Sequence, residues 1–469
     1  MILNFIICLL SFLWLLWILR AGRTSFGLPI AYLASLFLIH IPGGIAKLFD
    51  QSIFNDYALT QTGISLTAIG SVCFASGVWL AQFSTPAVLG PPINDRQRFA
   101  RFCLFGGWLF VYALTPLRNI PSLGAIIDMG GAIWMLGVIV GVRAAWGVRN
   151  VASAVVWGGA LLVYPVLMLL LGGFMSYGSA ALIVVGSSVT IYARRYFRVV
   201  LAITLVAYLS LSLFVNYFGN RNQIRDEVWG GAPMADRLES TAAMFTDFVW
   251  FDPSDPKQQS ALDQRLNQNY FVGLAAERID HGETDYLHGR SVWEAFLALI
   301  PRAIWPDKPV GAGSGTIVAE VTGLELSTST SWGVGNVMEF YINFGIPGVI
   351  GGFALLGYLI GWLDRKAAAV ERRGDFARVP IYFLPAVALI QPNGSMVELA
   401  AGGLSAWLAG IGWRWAWRKV AAGRAPWLNW LLGRARTPGP PPRRSPPRNS
   451  YVMPRRDHRT TFSGPDGKI

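Results

Sequence analysis

Charge is scarce in this chain. Only 14% of its 469 residues are Asp, Glu, Lys or Arg, against 53% hydrophobic, and the mean hydropathy is +0.43. Soluble domains carry about a quarter charged residues, so the composition excludes an ordinary water-soluble class and indicates a membrane one. Cysteine is nearly missing too. Cys8, Cys73 and Cys103 all lie in apolar segments, which leaves neither a disulfide framework nor a thiolate metal site. There is no internal repeat. The first apolar run is long for a signal core and lacks a basic flank or small-residue cleavage site, so it is expected to stay as a membrane helix.

What the chain has in abundance is apolar stretches near 20 residues, the length that crosses ~30 Å of hydrocarbon. They fall at 2–19, 28–46, 64–83, 102–117, 123–142, 151–174, 177–193, 199–218, 337–362, 376–390 and 396–417. The tenth is short and holds Pro380 and Pro385. The expected fold is all-α and polytopic, with about eleven transmembrane helices. Residues 1–218 supply eight, 219–336 form one long loop domain, 337–420 supply three, and 421–469 form a basic tail. Residues 437–448 of that tail read TPGPPPRRSPPR, too proline-rich to pack and expected to be extended or disordered.

A net charge of +12 would suit a nucleic-acid partner, but its distribution argues against one. With the N-terminus outside, Lys and Arg gather in alternate connections. Arg20 and Arg23, Arg96, Arg98 and Arg101, Arg143 and Arg149, Arg194, Arg195 and Arg198, and Arg365, Lys366, Arg372, Arg373 and Arg378 all fall on the cytoplasmic side. The short outer connections hold only Lys47 and Arg118. This is the positive-inside pattern. It predicts an extracytoplasmic 219–336 segment and a cytoplasmic C-terminus. The long segment is acidic, with 16 Asp/Glu against 9 Lys/Arg.

Within it, Trp293, Phe296, Leu297 and Ile300 recur at i, i+3, i+4 and i+7, predicting a helix over 287–300 that Pro301 ends. Too short to span a bilayer, it is expected to lie at the interface. Ile300-Pro301-Arg302-Ala303-Ile304-Trp305-Pro306-Asp307-Lys308-Pro309 follows. Two cations, a carboxylate, a Trp and three prolines in ten residues make a rigid charged knuckle that a lipid-facing surface cannot hold. Its expected depth is that of the headgroups, where a lipid diphosphate sits.

Three groupings carry possible chemistry. The first is Arg278, Arg290, Arg302 and Lys308, with Arg118 from another outer connection. Guanidinium matches phosphate oxygens bidentately and Lys acts as a point charge, so the set suits a departing diphosphate. The plain alternative is that these cations balance the loop's own carboxylates. The second is Asn336, Glu339 and Asn343, spaced i, i+3 and i+7 on one helical face. Two amides can orient a sugar hydroxyl while the carboxylate takes its proton; the plain alternative is a Glu marking the water interface. Glu398 and Asp128 are weaker versions of the same signal. The third, His281-Gly-Glu283-Thr-Asp285 with His288, fits no zinc spacing and reads as hydrophilic loop. Gly311-Ala-Gly-Ser-Gly-Thr316 lacks the Gly-Lys-Ser/Thr of a nucleotide loop and reads as a backbone nest or a flexible lid. Gly348/Gly352 and Gly357/Gly361 read as helix packing.

Arg278, Tyr286-Leu287-His288-Gly289, the 300–309 knuckle and Glu339-Phe340-Tyr341-Ile342-Asn343-Phe344-Gly345 together resemble the Wzy-type repeat-unit polymerases of bacterial O-antigen and exopolysaccharide synthesis. The detailed match covers residues 278–345, and the rest matches in architecture. The resemblance implies a GT-C-like membrane glycosyltransferase of the inner membrane that needs no cofactor. It would join oligosaccharides carried on undecaprenyl diphosphate. By position, Arg278, Arg302 and Lys308 carry over as diphosphate or sugar contacts. Arg290, Asp307, Trp305, Asn336, Asn343 and Arg118 complete the expected substrate site, and Glu339 is the base that the chemistry suggests. Implied partners are the lipid-linked oligosaccharide, membrane lipids, a chain-length regulator and a flippase. An O-antigen-ligase-like transferase and a flippase or transporter remain alternative readings.

Overall fold

The computed structural model describes residues 1–432 apart from 23, 50–51, 53–55, 85–94, 115, 118–119, 121–122, 148–149, 174, 193–195, 247, 301–303, 306, 308–312, 326–332 and 426–427. The proline-rich 437–448 stretch therefore lies outside the described residues. The described residues form helices and no strands. In chain order these are α1 (Ile2–Gly22), α2 (Leu28–Leu48), α3 (Tyr57–Ala81), α4 (Arg96–Trp108), α5 (Leu123–Ile127), α6 (Gly130–Gly147), α7 (Val151–Gly172), α8 (Ser176–Tyr192) and α9 (Tyr196–Trp229). Shorter ones follow: α10 (Met234–Thr246), α11 (Pro256–Leu266), α12 (Gln268–Asp280), α13 (Arg290–Ala298) and α14 (Ser314–Thr322). The chain then returns to long helices with α15 (Asn336–Arg372), α16 (Val379–Ala388), α17 (Met396–Ala421) and the short α18 (Asn429–Leu432).

Each of the eleven apolar runs carries a helix. Among the described residues, six helical stretches are long and apolar enough to cross a membrane: Ile2–Gly22, Leu28–Leu48, Tyr57–Ser84, Leu123–Gly147, Val151–Gly172 and Asn336–Arg372. Gly178–Ile191 and Val379–Ala388 are apolar but shorter. The run at 102–117 starts earlier than expected, with α4 at Arg96, and passes into a π-helical turn at Leu109–Ala113.

Small residues decide how closely α3 and α15 approach. A Cβ on Gly77 would run into the Ala354 carbonyl, and one on Gly357 into the Phe74 carbonyl. The Gly357/Gly361 pair thus works as expected, letting two backbones touch where larger residues would hold them apart. Aromatic rings fill the space beside the contact: Tyr32 stacks on Phe74 at 4.5 Å, and Phe340 meets Phe353 edge-on at 5.2 Å.

Residues 1–435 form one compact unit. The long 219–336 segment is part of it, because α11 packs on α2, α12 on α3, and α13 on α17. Asn269 ties α12 to α2 twice, its Nδ2 donating to the His40 carbonyl at 2.6 Å and its Oδ1 meeting His40 Nδ1 at 2.8 Å. Gly63 of α3 and Gly43 of α2 leave room for the Asn269 backbone and the Asn267 side chain.

Where α15 ends, a knot of polar groups joins it to four other helices. Asp364 Oδ1 accepts the Phe26 and Leu28 amides at 2.9 and 3.3 Å, at the start of α2. Glu371 pairs with Arg143 of α6 at 2.8 Å and lies 3.6 Å from Arg96 of α4. Arg143 also donates to the Ser25 carbonyl and to Ser188 Oγ of α8, and its guanidinium lies over Phe26 at 4.2 Å. Gly27 is obligatory here: its φ of 86° is open to glycine, and a Cβ would strike the Ser187 backbone.

Candidate functional site

The opposite end of α15 is built differently. The helix begins after Gly335, which sits at φ 71°, and runs two turns before Phe344 (φ −144°, ψ 16°) and Gly345 (φ 65°, ψ −150°) break it. The expected 337–362 run thus carries a helix with a break inside it. The break is held by α13's leading turn. The Leu287 amide donates to the Ile342 carbonyl at 2.8 Å, and the Gly289 amide to Asn343 Oδ1 at 3.1 Å. Those contacts also explain why the expected 287–300 helix starts only at Arg290: His288 and Gly289 take φ values of 45° and 87° to present the amide.

Asn336, Glu339 and Asn343 share one face as expected, but that face does not meet water. Exposure is 0%, 0% and 1%. Burial removes the plain alternative of a Glu marking the interface. Asn336 accepts from Tyr32 Oη at 2.7 Å and donates to the Gly394 carbonyl at 3.0 Å, while its amide donates to the Pro392 carbonyl. Asn343 Nδ2 donates to Ser291 Oγ at 2.8 Å and to the Glu339 carbonyl at 2.7 Å. Glu339 Oε2 accepts the Met396 amide at 2.7 Å, at the N-terminus of α17. Its Oε1 is buried and has no hydrogen-bond partner among the described residues. The Ser291 hydroxyl lies beside the carboxylate and interacts with it.

A buried oxygen left without a partner costs roughly 1–3 kcal/mol, and more when charged. Asp364 Oδ2 and Glu371 Oε1 are in the same state among the described residues, each near an arginine. Polar groups at such depth face partners or cavities by default. No surface of Glu339 is exposed; Ser291 of α13 and the Met396 amide lie against its carboxylate.

The cations are arranged otherwise. Arg278 caps α14, donating to the Thr322 carbonyl at 3.1 Å, and its Nε lies 3.5 Å from Glu283. Arg290 pairs with Glu320 at 2.5 Å on the surface, a contact that holds its guanidinium above the ordinary value. Both are thus engaged by carbonyls or carboxylates of their own segment. Trp305 and Asp307 are exposed, and Arg302, Lys308 and Arg118 lie outside the described residues. Glu398 closes a capping box with Ser395 and accepts from Ser314 Oγ at 3.3 Å. Asp128 sits in the turn between α5 and α6.

Sequence reasoning missed Tyr32, Gln268, Ser291 and the 391–395 turn, where Gln268 Nε2 donates to Asn393 Oδ1 at 2.8 Å. The turn carried a signal, Gln-Pro-Asn-Gly-Ser between two apolar runs with Glu398 three residues on. Tyr32 and Gln268 carried none, since their roles exist only once distant helices meet.

The model of the family described as a domain of unknown function, DUF8712, matches residues 56–371, more than half of the chain. The chain belongs to this family. The DUF8712 region runs from the Asp56 cap of α3 to Glu371 near the end of α15, so it contains Glu339 and leaves out the α17 N-terminus that holds it. No curated protein and no solved structure matches the chain.

Proposed function

We propose that this protein polymerises oligosaccharide repeats carried on undecaprenyl diphosphate, at the outer face of the bacterial inner membrane. The observation that carries the reading is Glu339 Oε1, a buried carboxylate oxygen with no hydrogen-bond partner among the described residues, on a broken membrane helix and with no arginine beside it there. In the reaction an acceptor hydroxyl attacks the anomeric carbon of the donor glycan. The new glycosidic C–O bond forms as the C–O bond to the diphosphate breaks, the hydroxyl proton passes to Oε1, and undecaprenyl diphosphate leaves. Arg302 and Lys308 are the cations assigned to that leaving group, on the resemblance of the knuckle to Wzy-type polymerases. The topology that goes with it has about eleven crossings, the N-terminus outside and the C-terminus cytoplasmic. Amphipathic α13 supports the placement, because Trp293 and Phe296 are exposed at 64% and 61% while Ser291 is buried against the site.

The break at Phe344–Gly345 favours a second reading, a transporter, since discontinuous helices line transporter sites. An O-antigen-ligase-like transferase would use the same donor. The lipid-linked glycans of a deletion strain separate all three. Single repeats accumulating outside mean polymerase, long unligated chains mean ligase, and repeats facing the cytosol mean flippase.

A further inference from the structure

Between α10 and α11 the chain turns back along α9. From Phe248 to Phe251 it is not helical, and three α9 side chains spaced i, i+4 and i+8 on one face meet its backbone. Asn216 accepts the Val249 amide on Oδ1 at 3.0 Å and donates from Nδ2 to the Val249 carbonyl at 2.7 Å. The Phe251 amide donates to Ser212 Oγ at 3.0 Å, and Tyr208 Oη donates to the Phe251 carbonyl at 3.2 Å. The segment thus descends α9 from Asn216 towards Tyr208.

That stretch of α9 belongs to the expected 199–218 membrane run. Tyr208 precedes the outer end of the run, Phe218, by ~15 Å of helix. Tyr217 donates to the carbonyl of Gly173, where α7 stops, at 2.8 Å. The ends of two expected membrane runs therefore lie at one level, and the chain passes below it. What the segment shows its surroundings is apolar: Val249 and Trp250 are 53% and 55% exposed, and Trp250 stacks on Tyr208 with ring centres 5.9 Å apart. Leu201, Leu205 and Leu209 of α9 are exposed as well. In water, solvent would bond the backbone of such a loop. In hydrocarbon, non-helical backbone persists only where protein bonds it or a water-filled cavity adjoins it. Both conditions are met here. Past Phe251 the chain turns through Asp252-Pro-Ser-Asp255 and returns as α11, and α9 and α11 enclose an open groove of about 510 Å³ lined by Val215, Phe218, Lys257 and Gln264 among others.

We infer that residues 248–255 form a re-entrant loop in the outer leaflet, with Val249 and Trp250 against lipid acyl chains. The charged turn and Lys257 keep to water admitted by the α9–α11 groove. The loop does not depend on the role of Glu339, so its failure would leave the polymerase reading untouched.

The test is nitroxide labelling of the full-length protein in lipid nanodiscs, with Cys8, Cys73 and Cys103 replaced by alanine and one new cysteine at a time. Oxygen concentrates in hydrocarbon, and the polar nickel complex NiEDDA in water. A label on Trp250→Cys should be relaxed by oxygen, and reached by NiEDDA roughly tenfold less than one on Lys257→Cys, because polar solutes avoid hydrocarbon. Adding Asn216→Ala, which removes both bonds to Val249, should raise NiEDDA access at position 250; no rise would overturn the fastening by α9. NiEDDA access at 250 equal to that at 257 would put Trp250 in water and overturn the loop. Exclusion of both relaxants would mean that a second copy or another protein covers Trp250, and would overturn the lipid contact equally. If Trp250→Cys fails to insert, Val249→Cys takes its place with the same outcomes.

Discussion

At its C-terminal end α15 sets Asp364 and Glu371 among cations and helix-start amides, with Arg143 and Arg96 beside Glu371 and the α2 amides on Asp364. At its N-terminal end the Glu339 carboxylate meets the Met396 amide and the Ser291 hydroxyl, and no cation among the described residues. The same side-chain chemistry, equally buried, therefore has two uses. A carboxylate paired with arginine is a fastener, because either charge alone in the interior is costly. Asp364 and Glu371 also keep one oxygen without a hydrogen bond among the described residues, so what sets Glu339 apart is the lack of an arginine beside it there.

Four substitutions test that contrast, beginning with the largest expected effect. Glu339→Gln keeps an oxygen for the Met396 amide but cannot take a proton, so polymer synthesis should fall by ~10²–10⁴-fold while the protein stays inserted. Near-normal chain length, read on a polysaccharide gel, would remove Glu339 as the base. Arg143→Ala should do the reverse. Leaving Glu371 buried and half-paired should cost about 3–5 kcal/mol of stability, while activity per folded molecule stays near wild type. The thermal transition of the solubilised protein measures it, and Arg143→Met with Glu371→Leu should recover most of the loss; no recovery would mean the pair is not the fastener.

Gly77→Ala, which forces α3 away from Ala354, should cost about 1–3 kcal/mol and disturb both ends of α15 alike. A loss of polymer without a change in thermal transition would contradict that expectation. Arg290→Ala should be nearly silent, ~0–1 kcal/mol, because its partner Glu320 is 42% exposed and the pair is screened. A large drop in polymer from Arg290→Ala would instead bring this cation back to the substrate.

What the sequence made legible follows from periodicity. Apolar runs have a length, so every expected membrane segment carries a helix. A polar stripe has a spacing, so Asn336, Glu339 and Asn343 were found together before any fold was known. The break after Asn343 was not legible, because Phe344-Gly345 becomes non-helical through amides supplied by Leu287 and Gly289, more than 50 residues earlier. Nor were the partners of Arg278 and Arg290. Opposite charges find one another in space, and Thr322 and Glu320 are far away in the chain. The inner fastener was half legible. Arg143 was assigned to the positive side of a topology, where it also turns out to be a structural partner.

The seating of α12 sets a timetable for assembly. Gly43, Gly63 and the His40 carbonyl form a slot in α2 and α3 that Asn267 and Asn269 fill. At about 5–20 residues per second, synthesis delivers those asparagines on the order of 10–40 s after the slot itself. Through that interval two inserted helices carry polar backbone and a histidine with no mate. A chain halted before residue 267 should therefore be a target for membrane proteolysis, however apolar its first eight helices are.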